Sequence, residues 1–156
     1  MKKTQNQMLI IFGASGDLTA RKLVPAIYNL YKGKHLPENF VVLGASRSAM
    51  TDEEFRLKII QESKFLIDKI SKEEKAYIAA FAEKMFYEDL GDAYDSEYSG
   101  LAKRIKKLND EKGCEENYIF YLSTPPSLYE VIAKNLCEAG LTTEENGWKR
   151  IIVEKP

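Results

Sequence analysis

At 156 residues, 44% hydrophobic and 30% charged, the chain has the make-up of one globular domain with room for a sizeable core. Its net charge of −1 gives no electrostatic footprint for nucleic acid or for a membrane surface, and no apolar run approaches the roughly 18 residues of a spanning helix. Cys114 and Cys137 lack metal-ligand spacing and are expected as free thiols in a reducing cytoplasm.

The N-terminus, "MKKTQNQMLIIFGASGD", carries lysines ahead of a short apolar run. That run passes into glycines without a small-residue cleavage site, so it reads as a first strand, not a signal peptide. The helix that follows contains Pro25, which predicts a kink or a segment ending near Lys22. "FVVLGAS" is a second strand. Thr51 with Glu54, and Ser71 with Glu74, fit capping boxes, with Phe55, Ile59, Tyr77 and Phe81 as inward positions of two helices in the second crossover. "KMFYEDL" is a third strand; Tyr98, Leu101, Ile105 and Leu108 form a helical stripe ending at Gly113. After "NYIFYLST", Pro125 suits the first turn of a helix carrying Leu128, Ile132 and Leu136, closed by Gly140. "RIIVEK" is the last strand. Near-continuous apolar runs, rather than alternating ones, predict parallel strands covered on both faces. Strand and helix in alternation give a doubly wound parallel α/β (Rossmann-type) sheet over residues 1–156.

In such a sheet ligands sit at the carboxyl ends of the strands. "GASGDL" lies there, after the first strand. Gly13 can take the tight turn, Gly16 lets backbone approach an anion, and the amides from Ala14 to Leu18 open a helix at its positive end. Ser15 adds a hydroxyl, and Asp17 reads as a helix cap or loop-fixing residue. A regular G-x-G-x-x-G would need glycine at Ser15 and Leu18, and the plain alternative is a turn that merely joins strand to helix. The second strand favours the nucleotide. Where an NAD site keeps an acid, "LGASRS" offers Ser46, Arg47 and Ser48; a guanidinium and two hydroxyls suit a 2′-phosphate, hence NADP.

"GASGDLTARKLVPAIYNL", "GASRS", "YLSTPPSLY" and "RIIVEKP", in this order, resemble the coenzyme-binding half of glucose-6-phosphate dehydrogenase from about Leu9 to Pro156. The resemblance implies hydride transfer from C1 of glucose 6-phosphate to NADP, giving 6-phosphogluconolactone at the entry of the pentose phosphate pathway. It implies that Gly13, Ala14, Ser15, Gly16, Asp17 and Leu18 hold the pyrophosphate and Arg47 the 2′-phosphate. Asp89 and Leu90 would border the adenine, Tyr121 would line the nicotinamide, and Ser123, Thr124 and Pro125 would lie beneath it. Lys155, kept extended by Pro156, would reach both sugar phosphate and nicotinamide.

The family's general-base histidine belongs to a segment like "RIDHYLGKE", absent from this sequence. The lone His35 sits in a polar turn and reads as solvated surface. No catalytic base is therefore expected within these residues, nor the family's second domain with its sugar site and dimer contacts. The chain alone is expected to be inactive and monomeric, the full-length protein a homodimer or tetramer. Two other readings stand beside this one: a sugar oxidoreductase of the glucose–fructose oxidoreductase type, and a non-catalytic NADP-sensing module.

Overall fold

The computed structural model describes residues 3–63, 71–91, 93–94 and 97–154. Five strands form one sheet in the order β3-β2-β1-β4-β5: β1 Gln7–Phe12, β2 Phe40–Ser46, β3 Met85–Asp89, β4 Tyr118–Leu122 and β5 Lys149–Val153. Every pairing is parallel, with Gln7 opposite Phe40, Met8 opposite Tyr118, Val42 opposite Met85 and Tyr118 opposite Lys149. The doubly wound expectation is met.

Each crossover carries helix. A π-helical turn, Thr19–Leu23, runs into α1 Val24–Lys32; α2 Asp52–Glu62 and α3 Lys72–Ala82 share the second crossover; α4 is Ser99–Lys112. A 3₁₀ turn, Pro126–Leu128, leads into α5 Tyr129–Glu138. Two cores result, one on each face. Val24, Ile27 and Tyr28 of α1, Phe55 and Ile59 of α2, and Ile78 and Phe81 of α3 pack on Ile11, Val42 and Met85. Leu101, Ile105 and Leu108 of α4 and Ile132 and Leu136 of α5 pack on Met8, Ile10, Phe12, Leu43 and Phe120. Burying one such side chain is worth about 1.5–3 kcal/mol, so the faces are strongly specified.

Pro25 neither ends the helix nor stands inside regular α geometry. It is the second residue of α1, and the turn before it has widened, with the Val24 N–H donating to the Thr19 carbonyl. An i→i−5 turn just ahead of the proline accommodates its missing donor and bulky ring. Likewise Pro125 is extended (φ −56°, ψ 144°) ahead of the 3₁₀ turn, and Pro126 opens that turn. Thr51 closes a complete capping box with Glu54. At Ser71 only half forms: Ser71 accepts from the Glu74 amide, while the Glu74 carboxylate accepts from Tyr28 Oη at 3.0 Å and pairs with Lys32 Nζ at 2.8 Å. Tyr77, expected inward, is 48% exposed and rests edge-on against Tyr31; Ile78 takes the core position. Gly113 and Gly140 end α4 and α5 with φ of 69° and 76°. The fifth strand departs most. Ile151, Ile152 and Val153 are exposed: β5 is an edge strand like β3, but whereas α2 and α3 pack over Met85, no β5 residue belongs to either core among the described residues.

Candidate functional site

Because all strands are parallel, their carboxyl ends form one rim, and the chain order reverses across β1 and β4. The glycine turn sits at that point. Gly13 has φ +82°, and a Cβ built there would lie 2.2 Å from the Ser123 carbonyl oxygen and 3.2 Å from Thr124 Cγ2. Glycine is required twice over, for the left-handed backbone and for contact with the end of β4. Two hydrogen bonds fasten the junction: the Gly13 amide donates to Ala45 O at 2.9 Å, and the Ser123 amide to Phe12 O at 2.9 Å. A second close approach supports the turn from below. Gly44 of β2 leaves room for the Phe55 ring and the Ala14 methyl, which a Cβ would meet at 2.7 and 2.8 Å.

Within the turn, Gly16 N–H donates to Gly13 O at 3.0 Å and Ala14 N–H reaches Ala45 O at 3.5 Å. Those two amides are committed to the turn. The amides of Ser15, Asp17 and Leu18 stand at the helix opening, where first-turn N–H groups lack intrahelical partners. Asp17 caps nothing. Leu18 precedes the π turn with no side-chain capping bond, and the exposed Asp17 carboxylate lies 3.9 Å from Arg21. Thr19 Oγ1 donates to Gly13 O at 3.4 Å and supplies the fastening expected of Asp17.

Beside the turn, the end of β2 brings Ser46, Arg47 and Ser48. Ser46 is buried and its hydroxyl points inward, 3.0 Å from Ser15 Oγ and within hydrogen-bond distance of Tyr87 Oη. It is therefore not the open phosphate ligand expected; Ser48 and Arg47 are the exposed members. The Arg47 guanidinium lies 5.2 Å from the Tyr94 ring centroid, a cation–π contact. Burial pushes the Tyr94 hydroxyl up, opposed in part by the Arg47 charge. Asp89 and Leu90 are at the same rim: Leu90 N–H donates to Ser46 O at 2.8 Å, and Asp89 Oδ1 accepts from the Gly91 amide at 2.8 Å.

On the other side of the turn, Tyr121 is half-buried and its hydroxyl donates to the Glu154 carboxylate. Burial first, then Glu154, pushes that hydroxyl up to about 12. Tyr129 Oη donates to the Glu154 carbonyl at 3.1 Å. Thr124 Oγ1 is the one buried side-chain polar atom among the described residues without a hydrogen-bond partner. An orphaned hydroxyl beside open amides and an exposed guanidinium fits a polyanionic, hydrogen-bonding ligand such as a dinucleotide. Lys155 and Pro156 lie outside the described residues. His35 follows α1 and precedes β2, at the amino ends of the strands, opposite the rim.

The sequence reading named the turn, Arg47, Asp89, Leu90, Tyr121 and Ser123–Pro125, and the fold brings them to one rim. It missed Tyr87, Tyr94, Tyr129 and Glu154. Their phenols, rings and carboxylate act through contacts 25–47 positions apart in sequence, which no local spacing marks.

Residues 10–156 match the family described as "Glucose-6-phosphate dehydrogenase, NAD binding domain". The chain belongs to this family. It is 45% identical over 157 residues to glucose-6-phosphate 1-dehydrogenase of Aggregatibacter actinomycetemcomitans, covering 99% of this chain and 30% of that protein. The enzyme of that name from Leuconostoc mesenteroides is 34% identical, covering 96% of this chain and 29% of that protein. A solved glucose-6-phosphate dehydrogenase in complex with its substrate glucose 6-phosphate superposes with a TM-score of 0.83 at 32% identity, covering 100% of this chain and 31% of that one. The chain thus spans about a third of the length of these relatives. Its family is one of nicotinamide-dinucleotide-binding domains, and no helix among the described residues is long and apolar enough to cross a membrane.

Proposed function

We propose that this chain is the NADP-binding part of a glucose-6-phosphate 1-dehydrogenase. The whole protein would oxidise C1 of glucose 6-phosphate, passing a hydride to NADP and a proton to a base, with 6-phosphogluconolactone, NADPH and H⁺ as products. NADP supplies the hydride acceptor; the chain's own residues bind, orient and exclude water. The reading is carried by one observation: an exposed Arg47, flanked in sequence by Ser46 and Ser48 and not by an acid, at the end of β2 next to the glycine turn. A carboxylate there would accept from a ribose 2′-hydroxyl and repel a 2′-phosphate; a guanidinium does the reverse.

The roles are those that the family resemblance implies, adjusted to the geometry of the described residues. The amides of Ser15, Asp17 and Leu18 offer donors to the pyrophosphate, with Gly13, Ala14 and Gly16 shaping the turn that aims them. Arg47 and Ser48 take the 2′-phosphate, and Asp89 and Leu90 border the adenine. Tyr121 flanks the nicotinamide, its hydroxyl held by Glu154, while Ser123, Thr124 and Pro125 form the floor and Thr124 Oγ1 gains its missing partner. Lys155 reaches the sugar phosphate. The base and the remaining sugar contacts belong to other parts of the full protein, so the chain alone binds coenzyme without turnover and stays monomeric, while the full protein forms homodimers or tetramers. Among the described residues Cys114 and Cys137 are unpaired, in keeping with the cytoplasmic location proposed for the protein.

Calorimetric titration with NADP and NAD tests the reading. NADP is expected to bind more tightly, and Arg47→Ala to remove about 1.5–3 kcal/mol of NADP affinity while leaving NAD nearly unchanged. Equal affinities of the unaltered chain for both nucleotides would overturn it.

A further inference from the structure

Tyr87 is not a nucleotide ligand in any reading above, yet its hydroxyl stands at the centre of the site's polar contacts. The residue is 3% exposed, on β3. Its ring lies 5.1 Å from the Phe55 ring, and its amide donates to Asp52 Oδ1 at 2.8 Å, so α2 fixes both ring and backbone. The hydroxyl donates to the Ser48 carbonyl and lies within hydrogen-bond distance of Ser46 Oγ. Ser46 Oγ is in turn 3.0 Å from Ser15 Oγ, and Ser48 Oγ is 3.5 Å from the same atom.

One buried phenol thus grips both neighbours of Arg47 and, through Ser46, the serine of the glycine turn. Arg47 itself is exposed on a short loop between Ser46 and α2. A long charged side chain there would sample many directions; its backbone is confined because the residues on either side are tied to a rigid strand. Burial raises the Tyr87 phenol, so at neutral pH its proton stays available to the Ser48 carbonyl.

We propose that Tyr87 is a positioning residue for coenzyme choice: by pinning Ser46 and Ser48 it presents Arg47 to the 2′-phosphate and sets that contact at a fixed distance from the pyrophosphate turn. The inference rests on the NADP reading of Arg47. Its consequence is selective. A loosened Arg47 weakens the nucleotide that carries the 2′-phosphate and leaves the one that lacks it alone, whereas a general loss of packing weakens both. Pre-organisation of this kind acts by reducing what must be ordered on binding.

The test is titration of the chain with NADP and with NAD, for the unaltered protein, Arg47→Ala, Tyr87→Phe and Ser46→Ala. Tyr87→Phe keeps the ring against Phe55 and deletes the hydroxyl; it should weaken NADP roughly tenfold, the scale of one lost hydrogen bond, with NAD changed less than about twofold. Ser46→Ala removes the link between Tyr87 and Ser15 without disturbing the ring, and it should shift the NADP-to-NAD ratio in the same direction. It decides the matter if circular dichroism shows Tyr87→Phe unfolded. A preference for NADP that vanishes in Arg47→Ala but survives intact in both other variants overturns the inference alone. Equal losses for both nucleotides also overturn it, leaving Tyr87 as packing. Absence of any preference in the unaltered chain overturns the Arg47 reading and this inference together.

Discussion

Strands β1 and β5 have similar apolar sequences in one parallel sheet and live in opposite surroundings. Ile10 and Ile11 of β1 are fully buried, one against each core, and the strand delivers its last residue straight into the glycine turn. Ile151, Ile152 and Val153 of β5 are 46%, 41% and 50% exposed. The difference follows from position. β1 has a strand on either side and helices over both faces, whereas β5 pairs with β4 alone and the α1–α3 layer covers the β1–β3 end of the sheet. A continuous apolar run therefore states what a strand is suited to, and the rest of the fold decides whether it is covered. The candidate site inherits this asymmetry: its glycine-turn half is built on the central strands, its Glu154 half on the edge.

Truncation should expose the contrast most sharply. Ile10→Ala removes core atoms on a face that cannot collapse and should cost about 2–5 kcal/mol; Ile151→Ala, half in water, should stay within about 1 kcal/mol. Chemical denaturation of the two variants measures both, and comparable losses would break the distinction between centre and edge. Two glycines then sharpen it. Gly13 and Gly91 share φ +82°, but a Cβ at Gly91 meets nothing within 4 Å while one at Gly13 strikes Ser123 O. Gly13→Ala should cost roughly 2–4 kcal/mol, strain and clash together, and abolish nucleotide binding. Gly91→Ala should cost about 1–2 kcal/mol and leave the fold of the turn intact.

A smaller effect appears at alkaline pH. Burial, with Glu74 adding to it, pushes the Tyr28 hydroxyl up to about 12 from an ordinary value of 10.0. A raised folded value contributes stability that is fully present below pH 10 and is lost as pH rises towards 12. The loss is about 1 kcal/mol after allowance for relaxation. Thermal unfolding across pH 9–12 should show a decline to which Tyr121 and Cys114, also pushed up, contribute, and Tyr28→Phe should make it shallower. An unchanged slope in that variant would assign the decline to other groups.

Much of this was legible because the signals are local. Caps, apolar periods and the Gly13–Leu18 turn fix themselves within a few residues, and so the order of elements followed from the sequence. What escaped depends on partners far along the chain. Glu74 was taken from its capping box by Lys32 and Tyr28, and Ser46 was turned inward by Tyr87. Pro25 was absorbed by a wide helical turn. Asp17 looked like a cap because caps are common where a turn meets a helix, yet Thr19 holds that corner. In the candidate site the residues that gather at the carboxyl rim were readable and the supporting tyrosines were not.

The claim on which the rest depends is that the carboxyl rim beside Gly13, and not another concavity, receives the dinucleotide. A cleft of about 390 Å³ at the opposite ends of the strands, lined by Tyr31, Asn39, Lys84 and Lys112, also includes Glu38 and Glu83 and so lacks an excess of positive charge for phosphates. Amide chemical-shift mapping of the isotope-labelled chain during titration with NADP separates the two directly. Saturable shifts are expected at Ser15–Leu18, Ser46–Ser48 and Ser123–Thr124, with the Arg47 and Ser48 shifts much reduced when NAD replaces NADP. Shifts clustered at Tyr31, Asn39, Lys84 and Lys112, with the glycine turn silent, would contradict it.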